Sequence, residues 1–494
     1  MFPLKQKRTA PLRDPCSQLC RRRSLRQRLA RILSIPLVSL VIDADDVQAY
    51  QTHTGSEPRA SQLPPSTLGQ WWNGPYATGD WLGARTFLED HGLKFKGMST
   101  AIYYGVPTND LRHNSVFCYN LTLDSEFDFG KMIGLKGLKG IAGIQWETGE
   151  NFRDNPGAGI AFSPAAFTGL WKWRLRPIVL TYITPELFKI KEFLTLSGGW
   201  QSPANYFIQQ PAATLFQNYA FYGGPLVANG IPFDGNYVAW GGYTKIKPTE
   251  WIYLQAGLWA AVPNALDWHN RGVYFALSQR HKNGLFFMGE TGVTPAFGSQ
   301  HLPGKYAFGS YYWGLPCRSF LGASYPGNFG FYWQADQMLF REATSQSLDS
   351  MATWVGKSSS SISKASGPSA IQERLSPQGL YAFSLLVFAP KFYNALPFFL
   401  RTGLVYKGLI PTRDKDDFGI AFAYGNYSYY KILANRAKHI HIQRTNEALL
   451  EIDYRLQVNR WLYTQPFLEY IIHPNGDGQS KNALVVGIAT RVTF

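Results

Sequence analysis

The sequence predicts an all-β protein, a transmembrane antiparallel β-barrel of about 16 strands preceded by a short N-terminal helical segment. Three observations lead to this prediction: alternating apolar and polar residues, a composition rich in aromatic residues but poor in charge, and the lack of a long apolar run. Of the 494 residues, 15% are aromatic and 16% are charged, whereas about a quarter of a typical soluble protein is charged. No run of about 18 apolar residues could form a spanning helix. A barrel conceals its membrane signal because only alternate residues face lipid.

The alternation is clearest in the closing stretch, residues 448–494. Apolar residues at every second position from Leu450 to Val458 are separated by charged or polar ones, and the pattern returns between Ala483 and Phe494. Such strands are wet on one face only. A soluble β-sandwich also alternates, but its last residues usually fray. The last strand of a membrane barrel must pair with the first, so an ordered aromatic end favours the barrel.

The same alternation recurs through the middle of the chain and leads to the strand count. It is present at residues 119–129, 251–260 and 273–280, and turn-forming residues such as Gly223-Gly224-Pro225 separate the runs. About 400 residues, at about 10 per strand plus loops, correspond to roughly 16 strands, with about 14 to 18 allowed. A Ser-rich interruption at 342–374 has little apolar periodicity. It is predicted to be a disordered or extracellular loop of the barrel domain.

Residues 1–49 are predicted to be an export signal. Basic residues from Arg21 to Arg31 precede an apolar stretch from Ile32 to Ile42, and Val47-Gln48-Ala49 forms a small-x-small cleavage site. An uncleaved basic anchor is the alternative. This segment carries +6 of the formal net charge of +15, so the rest of the chain carries only +9. No nucleic-acid partner is expected, since no basic patch or binding motif supports one.

A short motif follows a polar, Pro-rich lead-in. Thr78 or Asp80 can cap a short helix that Gly92 ends, so residues 50–92 are predicted to form the lead-in and a short periplasmic helix, and 93–494 the barrel. From Gly79 to Gly92 the chain reads Gly-Asp-Trp-Leu-Gly-Ala-Arg-Thr-Phe-Leu-Glu-Asp-His-Gly. This stretch resembles the N-terminal signature of the OprB-like family of carbohydrate-selective porins. The family usually has Gly where this chain has Leu82, and the remaining spacing is held.

Two further stretches are similar to the same family. Residues 403–421 resemble its second signature, a Gly-x-x-Tyr-x-Gly strand followed by a Pro-x-Arg turn and an Asp. Residues 465–476 are similar to its closing hairpin, although Phe467 and Glu469 replace Asp and Gln. The resemblance implies an outer-membrane channel for passive uptake of sugars, with Arg and Glu side chains at a constriction and no cofactor.

The wet faces of the predicted strands supply the candidate pore-lining residues, because a pore derives its selectivity from its lining. Charges of both signs suit neutral polyols, since neither cations nor anions are then strongly favoured. The charged candidates are Asp124, Glu126, Asp128, Lys245, Lys247, Arg280, Arg401, Lys407 and Arg491. The aromatic candidates, which could stack on sugar rings or belong to an interface girdle, are Trp251, Tyr253 and Trp259. Within the motifs, where capping or turn roles are the structural alternative, the candidates are Asp80, Arg85, Arg413 and Asp416.

Other functions leave little trace in the sequence. Gly-x-Ser-x-Gly, P-loop and His-Glu-x-x-His patterns are absent, so no catalysis, cofactor or metal is predicted, and a polar loop is the simpler explanation of His439 and His441. Cys118 and Cys317 could form one disulfide or remain thiols. Two alternative functions stay open. One is a general diffusion porin without sugar preference, and the other is a secreted β-sandwich that binds or hydrolyses polysaccharide.

The predicted partners follow from the predicted location in a bacterial-type outer membrane. They are sugars or other small hydrophilic solutes, and outer-membrane lipid. Outer-membrane barrels commonly end in an aromatic residue that their assembly machinery recognises, so Phe494 is predicted to contact that machinery. A homotrimer is the oligomer considered.

Overall fold

The structure is a computed structural model that describes residues 68–108, 115–149, 161–165, 172–233, 235, 237–261, 284–342, 377–439, 445–476 and 480–494. Sixteen barrel strands lie within these ranges. They are β1 (Leu93–Gly105), β2 (Ser115–Asp128), β3 (Leu138–Gly149), β4 (Lys172–Ile183), β5 (Leu194–Gln201), β6 (Ala239–Ile246), β7 (Ile252–Ala261), β8 (Gly284–Val293), β9 (Leu302–Trp313), β10 (Asn328–Arg341), β11 (Gly379–Phe388), β12 (Phe398–Lys407), β13 (Asp417–Asn426), β14 (Asn446–Gln457), β15 (Leu462–Ile472) and β16 (Ala483–Thr493).

The strands form one closed antiparallel barrel. Each strand pairs with the next along the chain, and β16 returns to pair with β1, from Thr493 beside Met98 to Val486 beside Gly105. Closure satisfies the backbone N–H and C=O groups of the first and last strands, which lipid could not do. The predicted fold class, a barrel of about 16 strands after a short N-terminal helix, is confirmed.

Short elements occupy the connections between the barrel strands. Two-residue strands pair Glu186–Leu187 with Ile190–Lys191, Cys317–Arg318 with Ser324–Tyr325, and Ala296–Phe297 with the start of β9. The helices are α1 (Leu68–Trp72), α2 (Ala84–Asp90), α3 (Phe129–Ile133), α4 (Gly224–Ala228) and α5 (Tyr429–Ala437). Turns of 3-10 helix lie at Trp81–Gly83, Pro203–Asn205, Ala212–Leu215, Tyr219–Phe221 and Pro474–Gly476. No helix in the described ranges is long and apolar enough to cross a membrane.

Strand direction assigns each connection to one end of the barrel. Short turns such as 129–137 and 458–461 lie at the end that carries the start of β1 and the end of β16. Bacterial barrels have short periplasmic turns and longer extracellular loops, so this end is periplasmic. The Ser-rich segment that was expected to be a disordered or extracellular loop lies outside the described residues, apart from Glu342. The strand ends that flank it, Arg341 and Gly379, pair at the periplasmic end.

Three sequence predictions lie outside the described residues, and one differs from the structure. The export signal at 1–49, the strand at 273–280 and His441 lie outside the described residues. Gly223-Gly224-Pro225, taken as a turn between strands, instead begins α4. Proline near the first position of a helix is favoured because its missing N–H would have no partner there and its φ is already helical.

The two faces of the barrel wall differ as the alternation predicts. On β14, Leu450 is 41% exposed on the outer face, whereas Glu451 and Asp453 are fully buried inside. On β16, Val486 is exposed and Val485 is buried. An outer surface made of such apolar side chains is suited to hydrocarbon, and the polar side chains are gathered within the barrel.

Candidate functional site

One long connection packs against the inner face of the barrel wall. Residues 202–238, called the inner loop below, follow β5 and contain three 3-10 turns and α4. Its large apolar side chains are buried, and Phe207, Phe216, Tyr219 and Phe221 are each at most 2% exposed. A buried loop must satisfy its own backbone polar groups. The wall supplies many of the hydrogen bonds that do so.

Arg401 on β12 holds the inner loop on one side. Its Nε and Nη2 donate to Gln210 Oε1 at 3.1 and 2.8 Å, and its Nη1 donates to the carbonyl oxygens of Ala220 and Tyr222 at 3.2 Å each. Gln210 Nε2 donates in turn to the carbonyl oxygen of Ser384 on β11 at 2.8 Å. Arg401 therefore lies inside the barrel, but these donors hold the loop in place.

Buried carboxylates on β14 and β15 hold the loop on another side. Glu451 accepts hydrogen bonds from the backbone N–H groups of Gln217 and Asn218 at 2.5 and 3.2 Å. Glu469 accepts one from Asn218 Nδ2 at 2.8 Å. The two glutamates are directly opposite in the strand pair and both are fully buried. A buried donor left without a partner costs about 1–3 kcal/mol, so these two residues are strong anchors of the loop.

Further contacts tie the loop to the wall between β5 and β9. Gln255 Nε2 on β7 donates to the carbonyl oxygen of Tyr206 at 3.1 Å, and Lys305 Nζ on β9 donates to that of Gln209 at 3.0 Å. The ring of Tyr206 stacks on Tyr243 with centroids 4.0 Å apart. The described contacts that hold the loop therefore lie on strands between β5 and β15. Strands β16 and β1 to β4 form the remaining part of the wall.

A cluster of arginine and tyrosine lies beside the inner loop, and Arg455 is bonded to the loop itself. Its Nη2 donates to the carbonyl oxygen of Thr214 at 3.3 Å, its Nε donates to Gln465 Oε1 at 2.9 Å, and its Nη1 pairs with Asp417 Oδ2 at 3.4 Å. Arg455 and Arg491 lie against the ring of Tyr463 on β15, with their Cζ atoms 4.9 and 5.3 Å from its centroid. Arg491 Nε also donates to Thr100 Oγ1 on β1 at 3.0 Å. Burial raises the pKa of the Tyr222 phenol, and the nearby Arg491 and Arg455 lower it. Both guanidinium groups are thus within electrostatic range of the loop.

Charges of both signs cover the wall formed by β1 to β3. Lys96 Nζ donates to Glu126 Oε1 at 2.5 Å, in an ion pair between β1 and β2. Glu147 on β3 accepts hydrogen bonds from Asn120 Nδ2 and Gln145 Nε2 at 3.0 and 2.7 Å. Glu126, a predicted candidate, lies on this wall with a cationic partner.

Tyr253, another candidate, is part of a buried cluster around Glu290. Its hydroxyl donates to Glu290 Oε1 at 2.7 Å, and Gln255 Nε2 donates to the same oxygen at 2.9 Å. Glu290 Oε2 accepts from Tyr332 Oη at 2.8 Å and from Gln334 Nε2 at 2.9 Å. Four donors satisfy this carboxylate, as a buried charge requires.

None of the three aromatic candidates offers an open ring face inside the barrel in this conformation. Tyr253 is 4% exposed, and Trp259 is 1% exposed and packs against Phe207 with centroids 6.0 Å apart. Trp251 lies in the periplasmic turn before β7 and is 54% exposed. Neighbouring side chains cover Tyr253 and Trp259, so neither ring is open for stacking on a sugar. The strand pattern does not reveal this burial.

Besides Glu126, Arg401 and Arg491, three more charged candidates lie on the inner face. Asp124 is opposite Lys96 in the register of β1 and β2. Lys245 on β6 lies over the ring of Tyr253, with its Nζ 4.7 Å from the centroid. Lys407 ends β12 on the same face as Arg401, at the periplasmic end.

The other charged candidates lie elsewhere. Asp128 caps α3 by accepting hydrogen bonds from the backbone N–H of Gly130 and the next residue. Lys247 pairs with Glu192 at 3.1 Å in the periplasmic turns. Arg280 lies outside the described residues. Asp128 therefore has a local structural role that its period-2 position had not suggested.

The N-terminal motif residues have separate structural partners. Asp80 Oδ1 accepts a hydrogen bond from the backbone N–H of Thr86 at 2.9 Å, at the start of α2. Arg85 is 2% exposed, donates from Nη2 to the carbonyl oxygen of Phe95 at 2.7 Å, and lies 3.4 Å from the ring centroid of Tyr76. Arg85 thus joins α2 to β1, and its partner is not Asp80.

Arg413 and Asp416 form a two-pronged ion pair in the periplasmic turn between β12 and β13. Arg413 Nε and Nη2 donate to the two carboxylate oxygens of Asp416 at 2.8 and 2.9 Å. The carboxylate also accepts from Tyr454 Oη at 2.7 Å and from the backbone N–H of Gln457 at 2.9 Å. Its hydrogen bond with Asp416 raises the pKa of Arg413. The pair fastens this turn to β14.

Sequence reasoning did not single out several residues that hold or face the inner loop. Tyr222 and Gln210 lie in a stretch without strand periodicity, so no local signal marks them. Arg455 and Glu451 do lie on a wet face that the alternation identified on β14. Both residues would have been candidates if every charged residue on a wet face had been counted as one.

Metal and thiol chemistry have little support in the described part of the chain. No group of three or more His, Cys, Asp or Glu residues there could hold a metal ion. In the described part of the chain Cys118 and Cys317 form no disulfide, and the first is buried and the second partly buried.

Comparisons with known proteins agree with this architecture. The family described as "Carbohydrate-selective porin, OprB family" matches residues 117–494. Porin B of Pseudomonas aeruginosa is 25% identical over 448 residues, which cover 85% of this chain and 92% of that protein. High-pH and low-pH structures of Pseudomonas putida OprB each cover 85% of this chain and 99% of their own, with TM-scores of 0.71 and 0.50 and identities of 23% and 20%. The family match covers most of the sequence, and the chain therefore belongs to the OprB family of carbohydrate-selective porins of the bacterial outer membrane.

Proposed function

We propose that this porin conducts small neutral sugars by passive diffusion, and that its selective region lies beside Tyr222 of the inner loop, at Tyr463 and Arg491. The observation that carries the proposal is the placement of the Arg491 guanidinium against the Tyr463 ring, beside the loop that Arg455 holds. The solute gradient supplies the driving force, and no cofactor is needed.

The chemistry of this cluster suits a sugar. A guanidinium group presents several N–H donors in a fixed plane, which match the hydroxyl oxygens of a polyol. The Tyr463 ring adds an apolar face and a hydroxyl. A sugar that passes Tyr222 could therefore exchange hydrogen bonds with water for hydrogen bonds with the wall.

The charges on the opposite wall limit the passage of ions. Lys96 with Glu126, and Glu147 with its amide donors, present both signs within β1 to β3. A lining of mixed sign favours neither cations nor anions strongly. This supports a preference for uncharged solutes over a general filter for ions.

Sugar block of single-channel current tests the proposal. The purified protein is inserted in a planar bilayer, and currents are recorded with a panel of sugars, with Arg491→Gln as the variant. We expect the apparent sugar affinity to fall about tenfold in this variant, as the loss of one hydrogen bond to a charged group predicts. Lys415→Gln, an exposed change in a periplasmic turn, is the matched control. Unchanged block in the Arg491→Gln variant would contradict the assignment of the site.

Liposome swelling separates the sugar preference from general diffusion. Equal swelling rates for sugars, amino acids and salts of one size would support a general diffusion porin instead. The family describes a channel rather than an enzyme, and we infer that the wall acids have no catalytic role. Release of monosaccharide from oligosaccharides during these assays would overturn that inference.

We also propose the two partners predicted from the sequence, the barrel-assembly machinery and two further copies of the chain. Support for the first is the position of Phe494, which follows β16 and exchanges two backbone hydrogen bonds with Gly97 on β1. The homotrimer stays a prediction, and sedimentation equilibrium in density-matched detergent tests it. A measured mass equal to that of one protomer at every loading concentration would rule the trimer out.

A further inference from the structure

Three extracellular connections pack together into one surface above β9 to β14. They are residues 314–327, 389–397 and 427–439, called the basic rim below. The backbone N–H of Phe320 donates to the carbonyl oxygen of Phe392 at 3.0 Å, and the ring of Phe392 lies 4.7 Å from that of Tyr430. The backbone N–H of Ser428 donates to the carbonyl oxygen of Ala395 at 3.0 Å. The three connections therefore present a single continuous surface.

The basic rim carries positive charge without any acid. Its cationic residues are Arg318, Lys391, Lys431, Arg436 and Lys438, and the three ranges contain no Asp or Glu. The cations are interleaved with aromatic rings: Lys391 Nζ is 5.8 Å from the ring centroid of Tyr430, and Lys431 Nζ is 6.0 Å from that of Phe320. A surface of this kind attracts anions, because no carboxylate of its own offsets the field.

Exposed aromatic side chains lie among these charges. Tyr429 is 59% exposed and Phe392 is 41% exposed, and both belong to the basic rim. The ring of Tyr430 lies 4.7 Å from that of Phe392 and 6.3 Å from that of Tyr429, so the rings are contiguous, and contiguous exposed apolar patches mark sites that contact another molecule. The rim therefore presents ring faces and cationic groups side by side.

The basic rim adjoins the lipid-facing band of the barrel. Gly327 at its edge lies so close to Tyr312 that a Cβ on the glycine would be 2.6 Å from the tyrosine hydroxyl. Tyr312, Phe329 and Phe388 form an outward aromatic belt on β9 to β11, each between 42% and 46% exposed. Such belts lie at the boundary between hydrocarbon and head groups. The edge of the rim at Gly327 therefore lies beside this aromatic belt.

We propose that the basic rim binds a phosphorylated glycolipid of the outer leaflet. Arginine and lysine bind phosphate oxygens through charge-assisted hydrogen bonds. The exposed rings of Phe392 and Tyr429 contact the sugar faces of the head group, and the aromatic belt below contacts its acyl chains. This partner combines a phosphate, a carbohydrate and acyl chains in one molecule. The phosphate matches the cations, the carbohydrate matches the exposed rings, and the acyl chains match the aromatic belt.

Native mass spectrometry of the refolded full chain tests the proposal. The probe is an acylated disaccharide with two phosphates, compared with its dephosphorylated form and with phosphatidylglycerol. The variant is Arg318→Gln, Lys391→Gln and Lys431→Gln combined, one change in each connection. The matched control combines Lys136→Gln, Lys189→Gln and Lys415→Gln, three exposed lysines at the periplasmic end. Both triple variants remove the same charge.

We expect the wild-type chain to bind the phosphorylated probe at least tenfold more tightly than its dephosphorylated form or phosphatidylglycerol. The rim variant should lose that difference, whereas the periplasmic control should keep it. Heat-modifiable migration verifies that each variant folds. If the triple variant does not fold, the single variant Lys391→Gln replaces it, and we expect that variant to weaken binding severalfold. Equal binding of the phosphorylated and dephosphorylated probes, or equal losses in rim and control variants, would overturn the proposal. So would tighter binding of a soluble sulfated polysaccharide than of the glycolipid.

Discussion

The ring of Phe494 lies directly on Gly97, and the two residues exchange backbone hydrogen bonds. Gly97 N donates to Phe494 O at 2.5 Å, and Phe494 N donates to Gly97 O at 2.9 Å. A Cβ on Gly97 would overlap the phenylalanine ring, so only glycine leaves room for it. The last residue of the chain is therefore part of the seam at which β16 closes on β1.

Deletion of Phe494 is expected to impair membrane insertion more than pore selectivity. The deletion removes two backbone hydrogen bonds of the seam, each worth about 0.5–1.5 kcal/mol, together with the aromatic end that we expect the assembly machinery to contact. Heat-modifiable protein in outer-membrane fractions should fall severalfold at ordinary expression, while the pores that do assemble keep their conductance. Phe494→Tyr retains the ring and is the control. Normal insertion of the deletion variant would count against this role.

Leu82→Gly is expected to stabilise the N-terminal motif. Leu82 has φ 61° and ψ 31°, in the left-handed region, and its side chain is 86% exposed. Left-handed backbone costs a non-glycine residue about 1–2 kcal/mol, and part of the gain is offset by the greater freedom of glycine when unfolded. The midpoint of urea unfolding in lipid vesicles should rise. Leu82→Ala keeps the strained backbone and should leave the midpoint unchanged, and a lower midpoint for the glycine variant would refute the explanation.

Glu451→Ala is expected to loosen the inner loop. The change leaves the backbone N–H groups of Gln217 and Asn218 without their carboxylate acceptor in a buried place, which costs about 1–3 kcal/mol. Single-channel recordings should show larger and noisier open currents. Glu186→Ala, at an exposed periplasmic hairpin, makes the same substitution away from the loop and should behave as wild type. A quiet channel of normal size for Glu451→Ala would mean that other contacts alone hold the loop.

Arg401→Lys is expected to weaken the same loop although the positive charge is kept. Lysine cannot reproduce the planar set of donors that reaches Gln210, Ala220 and Tyr222 together. Limited proteolysis of the folded protein should cut within residues 202–238 sooner than in the wild type. Lys407→Arg, at the periplasmic end of the same strand, is the comparison. Equal protection of the two variants would show that charge alone, without the geometry of the guanidinium, is sufficient.

The local pattern of apolar and polar residues predicts much of the fold. It predicts less of the candidate site. The alternation on β14 and β16 indicated which residues face inward, since a period of two sets side-chain direction in any strand. It did not separate Arg491, which packs against Tyr463 and Thr100, from Arg401, which holds the inner loop. Both occupy wet faces, and only contacts with another part of the chain distinguish them.

The family resemblance located the motifs but not the roles of their residues. Asp80 accepts a hydrogen bond from the backbone N–H of Thr86 in α2, and Arg413 pairs with Asp416. The partner of Arg85 is instead the carbonyl oxygen of Phe95. A motif records which residues occur together, whereas the choice of hydrogen-bond partner depends on the packing of α2 against β1.

The sequence by itself determined that this chain is a membrane barrel of about 16 strands with a polar interior, because strand alternation, turn chemistry and composition are properties of neighbouring residues. Only the tertiary structure decided where the inner loop lies. Glu451 and Asn218 are 233 residues apart in the chain and meet because the closed sheet brings β14 beside the loop that follows β5. Such contacts are set by the circumference of the barrel and by the packing of the loop within it. No local pattern of residues contains that information.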